Sequence, residues 1–190
     1  WVAARFLSFT PPAGYDPDEW FGPLADRRIR GIPKVGDYGL TRHDIELIRP
    51  VIATMSDRFS RMGDVGAGLL TKLCNQIIVG CTISVIAESV NFAQKAGVDA
   101  AALTSVLKGG FADSMPFQMF APRMAKHEFE DPMGHTNTML KDFIAVNDIA
   151  SKSGARLPMS SQALELLQNT SADGDGDKDI CTIIRQFDKT

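Results

Sequence analysis

The amino-acid sequence predicts an all-α domain built around one long central helix. Between Gly63 and Ala96 the chain is mostly apolar and contains no proline or charge cluster that would end a helix. Further segments with helical spacing of apolar residues follow, and no alternating strand pairs interrupt them. The apolar fraction, 44% of 190 residues, is large enough to form a hydrophobic core.

The composition excludes several classes of protein. A net charge of −3 and a pI near 5.6 give no broad cationic surface, so we expect neither nucleic acid nor a membrane as partner. The three cysteines, Cys74, Cys81 and Cys181, have no paired CxxC spacing, which argues against a disulfide framework and a zinc knuckle. No uninterrupted run of about 18 apolar residues and no signal pattern appears. These observations favour a cytoplasmic protein.

Residues 1–40 are expected to form an irregular arm. They hold both tryptophans, both tyrosines and five of the ten prolines. Because a residue that precedes proline is restricted to extended conformations, no long helix is expected there. From residue 41 the pattern becomes helical, with Thr41-x-x-Asp44 as a capping box and a kink expected at Pro50. A short strand-like run, 58–62, then leads into a glycine turn.

This turn, formed by Gly63, Gly66 and Gly68, superficially imitates a dinucleotide-binding turn. Its order is GxxGxG rather than GxGxxG, and one continuous helix follows instead of a second strand that would bring an acidic residue to a ribose. The glycines therefore predict a tight turn with close helix packing, not a self-contained Rossmann site. The helix that follows spans about 30 residues, or about 45 Å, and ends at Gly97.

The remaining chain predicts five shorter helices, at 99–107, 114–126, 136–153, 158–170 and 178–188. Asp99 and Ser114 are the expected N-caps of the first two. Before the last helix, the run from Asp173 to Asp179 alternates carboxylates as an EF-hand loop does. However, Lys178 and Ile184 stand where that loop requires glycine and glutamate, so calcium is not expected. We expect a flexible turn in which Asp177 or Asp179 caps the last helix.

A polar group interrupts the apolar surface of the long helix. Lys72, Asn75 and Gln76 stand at i, i+3 and i+4, which places an ammonium and two amides on one patch. A partly desolvated lysine in such a patch can deliver a proton. The spacing alone is also compatible with a lysine that extends into solvent and amides that bond to neighbouring backbone.

The histidines and cysteines suggest no chemistry. His43, His127 and His135 are scattered without metal-ligand spacing, so no metal site is predicted and surface or capping roles are expected. Cys74 and Cys81 lie seven residues apart on one apolar face and are expected to be core residues.

The segment GDVGAGLLTKLCNQ at 63–76, with AES at 87–89 and KAGVD at 95–99, closely resembles the β-hydroxyacid dehydrogenases. GGFADS at 109–114, LKD at 140–142, LP at 157–158 and the acidic run at 173–179 continue the resemblance in the same order. It covers roughly residues 45–190. The form Lys-Leu-x-Asn-Gln is most similar to tartronate semialdehyde (2-hydroxy-3-oxopropionate) reductases, followed by 3-hydroxyisobutyrate dehydrogenases.

This resemblance implies a fold and a set of roles. Residues 63–190 would form a helical substrate and dimerisation domain like the C-terminal domain of 6-phosphogluconate dehydrogenase, and 41–62 would be the end of a Rossmann domain. Lys72 matches the catalytic lysine, and Asn75 and Gln76 match the amides that hold a small 3-hydroxy acid or semialdehyde. Many relatives have Asn at the Gln76 position, so which amide contacts the substrate stays open. Lys141 matches a lysine that approaches the cofactor, NAD or NADP.

Part of the family pattern has no recognisable counterpart. The family's cofactor turn, first βαβ unit and substrate loop precede the matched region, and residues 1–40 show none of them. The chain is therefore expected to be an oxidoreductase domain that needs a Rossmann half from a partner chain or further sequence. The alternatives are a non-catalytic helical interaction module and a shortened product whose arm has replaced the lost half. The long helix, which needs apolar cover on more than one side, predicts a homodimer or higher homo-oligomer.

Overall fold

The structure, a computed structural model, describes residues 42–54, 60, 62–63 and 66–188. The chain divides into two compact units, Trp1–Lys72 and Leu73–Thr190, and the division falls inside the long helix. The described residues form helices and one isolated antiparallel bridge, between His135 and Asp179, which confirms the all-α fold class. The arm at 1–40, the Thr41 capping box and most of the strand-like run at 58–62 lie outside the described residues.

The described residues form six α-helices: α1 Arg42–Ala53, α2 Ala67–Lys95, α3 Leu103–Val106, α4 Met115–Lys126, α5 Thr136–Ser153 and α6 Pro158–Thr170. A 3-10 turn, Ala100–Ala102, precedes α3, and a short π-helical segment, Ser171–Asp175, extends α6. The sequence located α2 to α6 to within a few residues. The last predicted helix differs in kind, because Ile180–Phe187 is a 3-10 helix rather than an α-helix.

The helix ends follow the sequence signals. The carboxylate of Asp99 accepts a hydrogen bond from the Ala101 amide, and the hydroxyl of Ser114 accepts one from the Phe117 amide. His127 ends α4 in the left-handed conformation, with φ 55°, a geometry that glycine usually provides. The capping roles predicted for Asp99 and Ser114, and for histidine at His127, are therefore confirmed.

Helix α2 supplies much of the core of the unit 73–190. Ile83, Ile86, Ala87 and Val90 are buried in one cluster with residues of α4, α5, α6 and the final 3-10 helix. The prediction for the two cysteines of α2 is half wrong, because Cys81 is partly buried but Cys74 is exposed. Cys74 lies on the side of α2 that turns away from this core, so an apolar neighbourhood in sequence did not make it a core residue.

The same outer side of α2 carries large apolar side chains. Ile78, Val85 and Phe92 follow one another at seven-residue intervals, and Phe92 is 72% exposed. Within the described part of the chain, α2 is therefore covered on one side, whereas the sequence led us to expect cover on several.

Helix α2 is also long and apolar enough, by length and composition alone, to cross a membrane. The sequence contains no uninterrupted apolar run of this length, and we had therefore not expected a helix with this property. The core helix of a globular domain meets the same description, and the inner face of α2 is packed against neighbouring helices. The property is therefore weak support for a membrane-spanning segment.

Helix α5 approaches α2 closely at Gly80. A Cβ atom built on Gly80 would overlap the ring of Phe143, and it would lie 3.4 Å from the Met139 sulfur. Phe143 is 1% exposed, so its ring has no open space into which it could move. The absence of a side chain at Gly80 thus allows α5 to lie against α2 at this level.

The acidic run before the last helix is a bonded structural loop, which corrects the expectation of a flexible turn. Asp175 accepts hydrogen bonds from Lys178 (2.7 Å) and Arg185 (2.6 Å), and Asp179 pairs with Arg123 at 3.2 Å. Burial opposes ionisation of Asp175, but the two cationic partners outweigh it and hold its pKa below the usual value. These carboxylates are committed to protein groups.

Asp179 performs the predicted capping role and more. Its side chain is fully buried and accepts from the amides of Cys181 and Met133, each at 2.7 Å. Burial, followed by the neighbouring Asp179 carboxylate, raises the pKa of the Cys181 thiol far above its usual range, so this cysteine stays a neutral core residue.

The loop also holds the start of α5. The backbone N–H of Asn137 donates to the Gly176 carbonyl at 2.8 Å, and the backbone N–H of Thr136 donates to the Lys178 carbonyl at 3.2 Å. His135, at the N-cap position, makes no side-chain cap. Loop carbonyls therefore satisfy first-turn donors that a capping side chain would otherwise take.

We predict that Gly80→Ala destabilises the domain by about 1–3 kcal/mol, because the new methyl group must displace the buried Phe143 ring. Gly68→Ala is the matched control in the same helix, since a Cβ there meets nothing within 4 Å. It should be neutral or stabilising by about 0.5–1 kcal/mol. Urea unfolding of both variants measures the difference; equal stabilities would contradict the close approach.

We predict that Asp179→Ala costs about 3–5 kcal/mol, because it removes the carboxylate that pairs with the partly buried Arg123 cation and leaves two backbone amide donors without their acceptor. Asp177→Ala in the same loop removes an exposed carboxylate bonded to Asn137 and should cost about 1 kcal/mol or less. Thermal denaturation of the two variants provides the comparison. A similar loss of Tm in both would rule out a structural role specific to Asp179.

Candidate functional site

Helix α2 presents the three residues that the sequence singled out. The segment from Ala67 onward is helical through Lys95, so Lys72, Asn75 and Gln76 keep the i, i+3, i+4 spacing on a continuous helix. Lys72 and Gln76 are partly buried, and Asn75 is exposed. One turn of an apolar helix thus carries an ammonium and two amides.

The Gln76 amide is bonded to side chains on both α2 and α5. Its Nε2 atom donates to Oδ2 of Asp142 at 2.7 Å and lies 3.7 Å from the Met139 sulfur. Its Oε1 atom accepts a longer hydrogen bond, 3.3 Å, from Nδ2 of Asn75. The structure therefore links Asn75 and Gln76 to each other and to helix α5.

Helix α5 presents its side chains in two directions. Met139, Asp142 and Phe143 are buried, as the i, i+3, i+4 spacing of one helix face requires. Lys141, one position before Asp142, is exposed and makes no hydrogen bond or ion pair with any described residue. The Lys141-Asp142 pair is thus divided between a buried carboxylate and a solvent-facing ammonium.

Asp142 is a site residue that sequence reasoning did not single out. The residue is 6% exposed, which is unusual for an acidic residue in the middle of a helix. The signal was present, because Asp142 falls on the apolar stripe of α5 between Met139 and Val146. A buried carboxylate needs hydrogen-bond donors, and Gln76 provides one.

Asp113 and Ser114 of the GGFADS segment, and His135 outside it, make structural hydrogen bonds. Ser114 caps α4, and Asp113 accepts from the Gly109 amide at 2.7 Å and from Gln118 at 2.6 Å. Both hydrogen bonds lower the pKa of Asp113, and the one from the Gly109 backbone has the larger effect. His135 binds the Asp177 carbonyl through Nδ1 at 2.8 Å. Within the described ranges, no cluster of three or more His, Cys, Asp or Glu residues could hold a metal ion.

The arrangement suits recognition of an oxygen-bearing small molecule. Asn75 offers an amide donor and acceptor at the surface, and Lys72 offers a cation one helical turn earlier. The amides can orient a hydroxyl or carboxylate, and an ammonium can stabilise and protonate an oxyanion.

Known proteins are similar to this chain in sequence. The family model described as the NAD-binding domain of NADP-dependent 3-hydroxyisobutyrate dehydrogenase matches residues 66–187. The 2-hydroxy-3-oxopropionate reductase of Escherichia coli is 28% identical over 75% of this chain and 49% of its own length. The L-threonate dehydrogenase of Cupriavidus necator is 30% identical over 74% of this chain and 48% of its own. The chain spans about half the length of the curated relatives it matches.

Solved structures share the fold. A 3-hydroxyisobutyrate dehydrogenase from Mycobacterium tuberculosis, solved with L-serine, superposes with a TM-score of 0.69 and 26% identity, covering 78% of this chain and 53% of that one. One from Salmonella typhimurium gives a TM-score of 0.71 over 77% of this chain and 52% of its own, and at 24% identity this likeness shows the fold alone. Since the family model matches well over half of the chain, in the region that holds α2, α5 and the acidic loop, this protein belongs to the β-hydroxyacid dehydrogenase family.

Proposed function

We propose that this chain is the helical substrate-binding part of an NAD(P)-dependent β-hydroxyacid dehydrogenase. The reaction would reduce a small semialdehyde such as tartronate semialdehyde, or oxidise a 3-hydroxyisobutyrate-like 3-hydroxy acid. One observation carries this proposal: Lys72, Asn75 and Gln76 form a polar patch on a mostly apolar helix, inside the segment that matches the family model. Relatives that match most of this chain are named 2-hydroxy-3-oxopropionate reductase and L-threonate dehydrogenase.

Lys72 would act as the acid of the reduction. Hydride that arrives at a carbonyl carbon leaves negative charge on the oxygen, and this charge must be stabilised and then neutralised by a proton. A lysine ammonium can do both. In the oxidation direction, the same lysine in its neutral form would accept the hydroxyl proton as hydride leaves the carbon.

The two amides would orient the substrate. A hydrogen bond from the amide patch to a hydroxyl or carboxylate next to the reacting carbon restricts rotation of a small, flexible molecule. Holding the reacting carbon toward the nicotinamide lowers the entropic cost of hydride transfer. The contact from Gln76 to Asp142 keeps this patch ordered before any substrate arrives.

The described residues fit only one edge of a nicotinamide dinucleotide. Exposed Lys141 is suited to approach a phosphate or ribose, but no described strand and glycine turn forms a phosphate-binding cradle. We therefore propose that a Rossmann domain, from a partner chain or from further sequence, holds most of the cofactor. When bound, the cofactor supplies or accepts the hydride.

Cofactor titration and complementation test the proposal. NADH and NADPH are titrated into the 190-residue chain, and activity on tartronate semialdehyde and 3-hydroxyisobutyrate is measured with and without an added Rossmann domain from a relative. We expect weak or no cofactor binding by the chain alone and activity only after complementation. Micromolar cofactor affinity of the chain alone would contradict the proposal that a separate Rossmann domain holds most of the cofactor. No rescue with any substrate would favour a non-catalytic helical interaction module.

Lys72→Ala should reduce kcat of the complemented enzyme about 10²–10⁴-fold, because the proton donor is lost. Lys126→Ala, at an exposed position at the end of α4, is the control and should leave kcat within about twofold of the original chain. Circular dichroism confirms that both variants are folded. An unchanged kcat in Lys72→Ala would remove this residue from the mechanism.

We also propose that the outer face of α2 packs against a second copy of this chain. Ile78, Val85 and Phe92 repeat every seven residues, which is the spacing of a helix-on-helix seam, and all three are exposed. An exposed apolar stripe of this length is typical of an interaction surface.

Val85→Arg should therefore shift the chain toward monomer in sedimentation equilibrium, because a charge in the centre of the seam must be desolvated on association. Val106→Arg is the control, since Val106 is also exposed but lies on α3. A monomeric original chain, or equal shifts in both variants, would overturn the assignment of this face.

A further inference from the structure

We infer that Asp142 is a positioning residue that fixes the Gln76 amide and thereby makes Asn75, rather than Gln76, the amide that contacts the substrate through a substrate hydroxyl. The inference rests on the proposed function and refines it, because the sequence left open which of the two amides makes the contact. It depends on a hydrogen-bonded series of three side chains, Asp142, Gln76 and Asn75, all within the unit 73–190.

The first step is the orientation of Gln76. A carboxylate only accepts hydrogen bonds, so the 2.7 Å contact with Asp142 requires the NH2 side of the Gln76 amide to face α5. The second N–H is turned toward the Met139 sulfur at 3.7 Å. The reverse orientation would place two oxygens against each other. The buried carboxylate thus selects one of the two amide orientations.

The second step is the orientation of Asn75. With Gln76 fixed, its Oε1 atom is an acceptor, and only the NH2 side of Asn75 can donate to it, as the 3.3 Å contact shows. The Gln76 amide has then used both donor hydrogens and one carbonyl lone pair within the protein. It has little capacity left for a ligand.

The third step is the capacity that remains on Asn75. Its side chain makes one hydrogen bond within the described chain, so Oδ1 and one N–H are available, and the residue is exposed. Donation to a carboxylate raises electron density on the Gln76 carbonyl, and the effect passes along the series to Oδ1 of Asn75. That atom becomes a better acceptor. Asn75 is therefore suited to a ligand group that donates, namely a hydroxyl.

The series is rigid at its far end. Asp142 lies between Met139 and Phe143 on the buried face of α5, and Phe143 packs where Gly80 has no side chain. Backbone packing, rather than a mobile side chain, therefore sets the position of the carboxylate. Preorganisation of this kind lets Asn75 bind without first ordering its support.

Nuclear magnetic resonance of the 190-residue chain tests the orientation without requiring activity. Asp142→Asn replaces the carboxylate with a group that can also donate, so Gln76 is no longer held in one orientation. The side-chain NH2 signals of both Gln76 and Asn75 should move. Asp148→Asn, an exposed acid on the same helix, is the control and should move neither. Unmoved Gln76 and Asn75 signals in a folded Asp142→Asn variant would overturn the positioning role.

Kinetics of the complemented enzyme test the hydroxyl contact. Asn75→Ala should raise KM for tartronate semialdehyde about tenfold with little change in kcat. KM for malonate semialdehyde, which lacks the 2-hydroxyl group, should stay unchanged. Asp142→Asn should also raise KM for tartronate semialdehyde and leave KM for malonate semialdehyde unchanged. Loss of folded protein would not change KM for one substrate alone. Because Asn75 is exposed, its substitution keeps the test decisive if Asp142→Asn does not fold.

Equal KM increases for the two semialdehydes in Asn75→Ala would overturn the hydroxyl contact, as would a larger increase in Gln76→Ala than in Asn75→Ala. If the original complemented chain turns over no substrate, the proposed function fails and the hydroxyl contact fails with it. The resonance experiment then decides separately whether Asp142 orients the two amides.

Discussion

The close approach of α5 to α2 at Gly80 is the constraint on which the candidate site depends. Gly80 lets the ring of Phe143 rest against the backbone of α2, and Asp142, the preceding residue, comes within 2.7 Å of Gln76. A side chain at Gly80 would push α5 outward and break this short polar contact, because hydrogen bonds tolerate displacements of only a few tenths of an ångström. Apolar packing and polar geometry are therefore coupled at one helix crossing.

The acidic loop supports that crossing from the other end of α5. Its carbonyl groups bind the first-turn amides of α5, and its carboxylates bind Arg123 of α4 and Arg185 of the last 3-10 helix. The loop thus ties the start of α5 to two other elements. A motif that looks like half of an ion-binding loop serves here to fix a helix that carries Asp142.

A helix contact made by a buried carboxylate and an amide requires desolvation of the carboxylate, which is energetically unfavourable. An apolar pair of similar size would pack as well without desolvating a charge. Polar groups that contradict an otherwise apolar stripe are most common where a protein binds or reacts. Gln76 on α2 and Asp142 on α5 fit this description, because each polar side chain has its hydrogen-bond partner on the other helix.

The sequence by itself determined the helical class, the approximate bounds of α2 to α6, the caps at Asp99 and Ser114, and the i, i+3, i+4 placement of Lys72, Asn75 and Gln76 on one helix. These follow from local spacing and from motifs contiguous in the chain. Tertiary structure decided which side of α2 is buried, and Cys74 is exposed as a result. It also fixed the acidic loop by ion pairs and hydrogen bonds. Finally, it placed the Asp142 carboxylate within hydrogen-bond distance of Gln76. Each of these depends at least in part on contacts between different helices or loops, such as Gln76 with Asp142 and Arg123 with Asp179. Periodicity along one segment cannot specify a partner on another, because the same apolar stripe would fit many surfaces.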